Sequence, residues 1–282
     1  MPIYEEIYRP WHGRLEARPR TWWIISRTGA SLLWKRAMIL LLILAALPFL
    51  VRLGQIYAAT RLADFPQLAD VVRDLVIDEQ FFSAFLQGQT FFLILMMVLS
   101  GAGLIANDRR FRALQIYFSK PVGFGDYILG KFLTLGWYGA LITLAPGLVL
   151  FVLQLLLTRE SGFGAEFWWV PFAVTAQSLL MVGTLGGIML ALSAALKGPR
   201  QAGILFFALI FITDLFREIL NRIPEVGLIS PTTLLRQSNA LLFGLEAPFA
   251  FSSWLGLAVI GLIIGLALLV LWLRVRPTEV VT

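Results

Sequence analysis

The sequence predicts an all-α polytopic membrane protein: six transmembrane helices with an N-terminal interfacial helix before them. Three observations lead there. Hydrophobic residues make up 59% of the 282-residue chain and charged residues only 14%, against about 45–50% and about 25% in soluble domains. A soluble chain of this length cannot bury that much apolar surface, and disordered chains are polar and charged instead. Second, the apolar runs are continuous, as in 40–47 and 262–273. Alternating segments of about ten residues would mark a β-barrel, and they are missing. Third, basic residues gather beside alternate ends of those runs. The net charge of +6 is therefore read as membrane orientation, with no nucleic acid as partner.

The elements follow in chain order, each span measured against the roughly 20 apolar residues that a helix needs to cross. Residues 20–36 read as a helix on the cytoplasmic surface. Trp22, Ile25, Leu32 and Leu33 share much of one helical face. Trp22, Trp23 and Trp34 suit the headgroup region, and Arg20, Arg27, Lys35 and Arg36 suit an anionic inner leaflet. Span 1 covers about 37–59, with Pro48 and Arg52 inside it. It starts too late for a secretory signal and no small-residue cleavage site follows, so it is expected to be retained.

The 61–88 segment mixes Asp64, Asp70, Asp74, Asp78 and Glu79 with apolar residues that include Phe81, Phe82 and Phe85. It reads as an external amphipathic helical loop that caps the bundle. Span 2 covers 89–107. Span 3 covers 131–156 and is interrupted by Pro146. Span 4, 169–196, is rich in glycine. Span 5, 201–220, carries Asp214, Arg217 and Glu218 near its last turn. Asp214 with Arg217, and Glu218 with Arg222, have helical spacing for ion pairs.

Residues 221–250 read as an external or re-entrant helical segment. Ser230 is its expected cap and Pro231 lies in its first turn, with a short helix over 234–243 ending at Gly244. Span 6 covers 251–273. Gly183 and Gly187 in span 4, and the G-x-x-x-G of Gly261 and Gly265 in span 6, are expected to let helices approach closely. The segments assigned inside hold 16 basic and 6 acidic residues, against 7 and 11 outside. Both termini are therefore expected in the cytoplasm.

Several chemistries are excluded. With no cysteine there are no disulfides, thiolate metal sites or cysteine nucleophiles. The single histidine, His12, cannot build a metal cage. Met96, Met97, Met181 and Met189 read as packing residues. The chain has no G-x-x-x-x-G-K-[ST], since Gly130-Lys131 is followed by Phe132, and no H-E-x-x-H or G-x-S-x-G. No catalytic residue, metal ligand or bound cofactor is expected, so any ATP hydrolysis belongs to another chain.

The polar stretch 108–131, DRRFRALQIYFSKPVGFGDYILGK, is the most informative. Arg109, Arg110 and Arg112 form a cationic cluster, residues 113–118 continue as a short helix, and Pro121 with Gly123 breaks the chain. A helix restarts over Asp126 to Lys131. The shape is an elbow between two spans. One reading is charge-driven topology with a tight connection. The other is a docking surface for a cytoplasmic partner.

Residues 101–131 resemble the permease subunits of ABC-2 type exporters. The acidic-basic cluster from Asp108 to Arg110, the core Arg112-Ala113-Leu114-Gln115, Pro121-Val122 and Gly130-Lys131 carry the likeness. Arg112 stands where the family usually has glycine, and Gln115 where it has glutamate. The resemblance implies one permease domain over 1–282 in a bacterial cytoplasmic (inner) membrane. It also implies a second permease copy or paralogue and two cytoplasmic ABC ATPases that use ATP and Mg. Coupling would run through Asp108, Arg109, Arg110, Phe111, Arg112, Leu114, Gln115, Pro121 and Lys131. The cargo would be lipid-like, amphipathic or drug-like, with membrane lipid around the spans. A secondary transporter or channel is the alternative, but buried ionisable residues, the usual mark of one, are almost absent.

Overall fold

The structure, a computed structural model, describes residues 20–61, 76–118, 122–158, 162–220 and 222–275. Within them the helices are α1 (Thr21–Leu33), α2 (Arg36–Arg61), α3 (Glu79–Gly101), α4 (Ala106–Arg110), α5 (Ala113–Phe118) and α6 (Phe124–Ile142). They continue as α7 (Leu144–Leu157), α8 (Phe163–Glu166), α9 (Val170–Ala195), α10 (Pro199–Ile219), α11 (Pro231–Leu242) and α12 (Ser253–Val275). A 3-10 helix, Pro224–Ile229, leads into α11.

Five helical stretches are long and apolar enough to cross a membrane: Arg36–Thr60, Glu79–Arg110, Phe124–Leu157, Val170–Ala195 and Ser253–Val275. The protein is thus an all-α polytopic membrane protein. The sixth expected span forms the continuous helix α10 but is not among the five. Charges at both of its ends, Arg200 and then Asp214, Arg217 and Glu218, shorten its apolar run.

Helix α9 is the axis of the bundle and contacts α3, α6, α7, α10, α11 and α12. In its apolar stretch 67% of the residues are buried, against 17% for the stretch in α2 and 22% for α12. A helix that is apolar on every side suits such a central place. The neighbours make room with small residues. A Cβ at Gly139 on α6 would lie 2.4 Å from Val182 of α9, one at Gly101 on α3 2.5 Å from Met189, and one at Gly147 on α7 2.8 Å from Val174.

Local chemistry sets the helix boundaries. The Asp78 carboxylate accepts a hydrogen bond from the Phe81 amide at 3.0 Å, so α3 starts about ten residues before the expected span. Phe81, Phe82 and Phe85 lie in the bundle core. Residues 62–75, the rest of that expected loop, lie outside the described residues. Span 3 breaks at Thr143, between α6 and α7. Pro146 lacks an N–H and crowds the carbonyl four residues back, at Ile142. Near the end of α2, Arg52 donates to Gln55 at 3.0 Å and lies over the Phe81 ring at 4.7 Å.

The expected start of the short helix near residue 231 is found. Ser230 accepts from the Thr233 amide at 3.2 Å, Pro231 opens α11, and Gly244 follows its end with φ of +66°. That left-handed backbone favours glycine. Helix α11 is buried among α9, α12, α3 and α10. The expected ion pairs of α10 do not form as spaced. Asp214 accepts from the Ser230 and Thr232 hydroxyls, and Arg217 pairs with its neighbour Glu218. The Asp214 carboxylate thereby anchors the cap of α11 instead of neutralising a cation on its own helix.

Candidate functional site

The described residues of the segment expected as an elbow, in α4, α5 and the start of α6, divide into a fixed root and an open tip. At the root, α9 ends where α4 begins. Both ends carry backbone groups without helical partners, and each supplies the other's needs. Ser193 Oγ accepts from the amides of Ile105 at 3.1 Å and Ala106 at 3.0 Å, and donates to the Ala102 carbonyl at 2.9 Å. Arg109 donates to the Ala194 carbonyl, a cation at a helix C-terminus where the dipole favours it.

The other side of the root is an ion pair among aromatic rings. Lys131 Nζ lies 2.7 Å from Asp108 Oδ2, with both side chains largely buried. The Tyr127 hydroxyl donates to the same carboxylate oxygen at 2.7 Å. Lys131 also faces the Tyr117 and Tyr127 rings at 5.8 and 5.3 Å. Burial, with the Asp108 charge adding to it, raises the Tyr117 phenol above its ordinary pKa, so it remains a neutral neighbour. Asp108 and Lys131, 23 positions apart, thus close the elbow's base. Leu114 turns inward against the core.

The tip points the other way. Arg110, Phe111, Arg112, Gln115 and Ile116 are exposed, Phe111 at 71% and Ile116 at 64%. Arg110 lies over the Phe111 ring at 5.6 Å. Arg112 has φ of +56°, in the left-handed region that costs a side chain about 1–2 kcal/mol. This backbone explains why glycine suits that position. Of the sequence-predicted coupling residues, Asp108, Arg109, Leu114 and Lys131 therefore build the root. Arg110, Phe111, Arg112 and Gln115 make the tip, and Pro121 lies outside the described residues. Ile116 escaped the sequence reading, although it lies on the short helix expected over 113–118.

Helix α1 is braced against α6. A Cβ at Gly130 would lie 2.7 Å from Ile25, and one at Gly29 would lie 2.6 Å from Thr134. Tyr138 donates to the Ala30 carbonyl at 2.7 Å, and the Trp34 and Tyr138 rings lie 6.1 Å apart. Contacts advance four residues on both helices at each step, so the two run in the same direction. The packed face is Trp22, Ile25, Ser26, Gly29 and Leu33. Leu32, expected on it, is 70% exposed. Trp23 reaches Trp137 at 5.9 Å, and Arg27 is exposed.

The predicted packing glycines also divide. A Cβ added at Gly183 or Gly187 of α9 would lie 3.6 Å from Ile264 or 3.5 Å from Ala267 of α12. Gly261 and Gly265 are exposed, with nothing within 4 Å of an added Cβ, so among the described residues they pack against no helix. Among the described residues no group of three or more His, Cys, Asp or Glu is placed to hold a metal ion.

A bundle of membrane-length helices with a root-anchored elbow between two of them defines a polytopic membrane protein. The family model described as ABC-2 family transporter protein matches residues 22–275. The chain belongs to that family. A comparison with curated proteins returns no match.

Proposed function

We propose that this protein is the permease subunit of an ATP-driven exporter and that the elbow tip receives a cytoplasmic ABC ATPase. The observation that carries the reading is the division of the elbow. Phe111 and Ile116 are exposed beside Arg110, Arg112 and Gln115, on a root tied by hydrogen bonds and an ion pair to α9 and α6. A rigid root transmits movement, and an exposed aromatic residue among arginines is the composition of a protein interface. Movement at the tip would reach α9, the axis of the bundle, through Ser193 and Arg109. The chain has no phosphate loop, so ATP and Mg act in the partner.

In this reading α10 is a sixth span, both termini and the elbow are cytoplasmic, and the location is a bacterial inner membrane. The positive-inside charge balance supports that orientation. Helix α11 enters the membrane part-way from the outer side, and hydrogen bonds tie it to α9 and α3 within the bundle. Gln177 donates to the Leu235 carbonyl at 2.9 Å and Asn239 to the Ser83 carbonyl at 3.0 Å. Two permeases and two ATPases form the working unit, and the apolar spans suit a lipid-like, amphipathic or drug-like cargo.

The test is co-purification of the permease with its ATPase, with recruitment and transport measured together. Phe111→Ala with Gln115→Ala should lower both while the permease itself remains folded. Unchanged recruitment and transport would remove the tip as the docking face. Single cysteines placed at 115 and 198, in a chain without native cysteine, should be protected from an impermeant reagent outside intact cells. Strong labelling at 115 would reverse the orientation.

A further inference from the structure

Two buried polar side chains lie level with the break between α6 and α7. Gln89 of α3 and Ser178 of α9 are 0% and 2% exposed. The Gln89 amide donates to the Ala45 carbonyl of α2 at 3.0 Å. Its Oε1 and the Ser178 Oγ have no hydrogen-bond partner among the described residues. Other hydroxyls in these helices bond back to their own backbone: Thr175 donates to the Pro171 carbonyl at 2.8 Å and Thr143 to that of Gly139 at 2.9 Å. Ser178 makes no such bond, so its hydroxyl is free for a partner off its own helix.

Packing on either side fixes the level. A Cβ at Gly147 would lie 2.8 Å from Val174 and 3.7 Å from Phe85, and one at Gly139 would lie 2.4 Å from Val182. Helices α6 and α7 therefore run opposite to α9. Thr143, midway between Gly139 and Gly147, comes opposite Ser178, midway between Val182 and Val174. Helix α3 runs the same way as α9, since Phe85 lies level with Val174 and Gly101 with Met189. One turn past Phe85, Gln89 reaches the level of Ser178. The Ile142 carbonyl, beside Thr143, has no amide donor four residues on, because that residue is Pro146. Ile142 and Ala45, whose carbonyl holds Gln89, share one buried cluster.

We propose that one water molecule is bound at this break, donating to Gln89 Oε1 and the Ile142 carbonyl and accepting from the Ser178 hydroxyl. Two acceptors and one donor match the roughly three hydrogen bonds that a buried water makes. Left unpaired in an apolar bundle, each of these groups would carry the full cost of its lost hydration. Gln89 and Ser178 form no direct bond, and polar groups beyond direct reach are joined by a water between them. A cation is a poorer occupant. The turns around Gln89, Thr143, Ser178 and Ala45 hold no Asp or Glu, and a buried charge needs an opposite one. The water takes the place of the hydrogen bond that Pro146 removes, and it ties the broken span to α3 and α9. This binding goes beyond the coupling reading and is independent of it, because the site lies in the bundle interior, away from the elbow tip.

The experiment uses the full permease reconstituted in lipid nanodiscs. A cryo-electron microscopy map that shows ordered water elsewhere in the protein should show one density within hydrogen-bond distance of Gln89, Ser178 and the Ile142 carbonyl. No density there, or a direct bond between Gln89 and Ser178, would overturn the proposal. Infrared spectra in deuterated buffer should carry the O–D stretch of an isolated water, recognised by its shift when the water oxygen is replaced by its heavy isotope. Ser178→Ala and Gln89→Met should each weaken that band. Thr175→Ala, which removes a hydroxyl held by its own helix, should leave it unchanged. A band of full strength in both Ser178→Ala and Gln89→Met would also overturn the proposal. Thermal unfolding gives a third reading. The midpoint should fall less in the double variant than the two single falls combined, because each single change already disturbs the same water. Additive falls would show that the two side chains share no ligand. A midpoint that rises in sodium chloride relative to choline chloride would assign the site to a sodium ion instead.

Discussion

Two carboxylates, Asp108 and Asp214, hold two bends of this chain by different means. Asp108 closes the elbow through Lys131 and the Tyr127 hydroxyl, both at 2.7 Å. Asp214 ties α10 to the start of α11 through the hydroxyls of Ser230 and Thr232, with no ion pair to the nearby Arg217, which takes Glu218. A charge-neutralised pair surrounded by rings is stiff, and removing one partner strands the other charge. A carboxylate held only by hydroxyls loses hydrogen bonds but leaves no opposite charge behind. The comparison teaches that the elbow is built for rigidity at its root, whereas the bend before α11 is held by capping.

The largest effect should come from Lys131→Met. It leaves Asp108 largely buried without its cation, at a cost of about 3 kcal/mol. Thermal unfolding of the purified permease would measure it, and adding Asp108→Asn should recover part of the loss. A loss below that of an ordinary surface substitution would erase the contrast between the two carboxylates.

Asp214→Ala should cost about 2 kcal/mol, the scale of hydrogen bonds to a charged acceptor. Asp214→Asn, which keeps an acceptor oxygen, should cost less. The same unfolding measurement distinguishes them. Equal costs would show that charge, rather than acceptance by the two hydroxyls' partner, holds that bend.

Arg112→Gly should stabilise the protein by about 0.5–1 kcal/mol, because it relieves a left-handed side-chain conformation at the price of greater freedom in the unfolded chain. ATPase recruitment should survive if the tip shape matters more than this one charge. A destabilised variant would show that the Arg112 side chain makes a contact worth more than its strain.

Phe111→Ala should change stability least, within about 0.5 kcal/mol, as for an exposed side chain away from the core. It should nevertheless lower ATPase recruitment. An unfolding shift as large as that of Lys131→Met would dissolve the division between root and tip.

Much of the architecture was legible because membrane burial writes long apolar runs and turns write glycine and proline. Pro146 marked the break before α7, Ser230-Pro231 the start of α11, and Gly123 the restart at α6. The start of α3 was not legible. Aspartates that read as a solvated external face included Asp78, whose cap extends the helix by ten residues and takes three phenylalanines into the core. Leu32 misled for a related reason: helical spacing gives several overlapping faces, and only α6 selected the one with Gly29 and Ser26.

The candidate site was readable as a segment but not as a mechanism. Arginine density located the elbow, yet composition cannot separate Arg109, spent on the Ala194 carbonyl, from its exposed neighbour Arg110. Nor does G-x-x-x-G in 261–265 distinguish a packed face from an outward one, while the close approaches at Gly101, Gly139 and Gly147 follow no comparable motif. Apolar periodicity, charge asymmetry and breaker residues are properties of neighbours in sequence, so they determine the class, the helices and the position of the elbow. Which side chains meet across α6, α9 and α10 depends on helix rotation and on complementary shape at distances of 23 to 108 residues along the chain. Only folding in three dimensions decides that Asp108 meets Lys131 and that Ser193 caps the elbow.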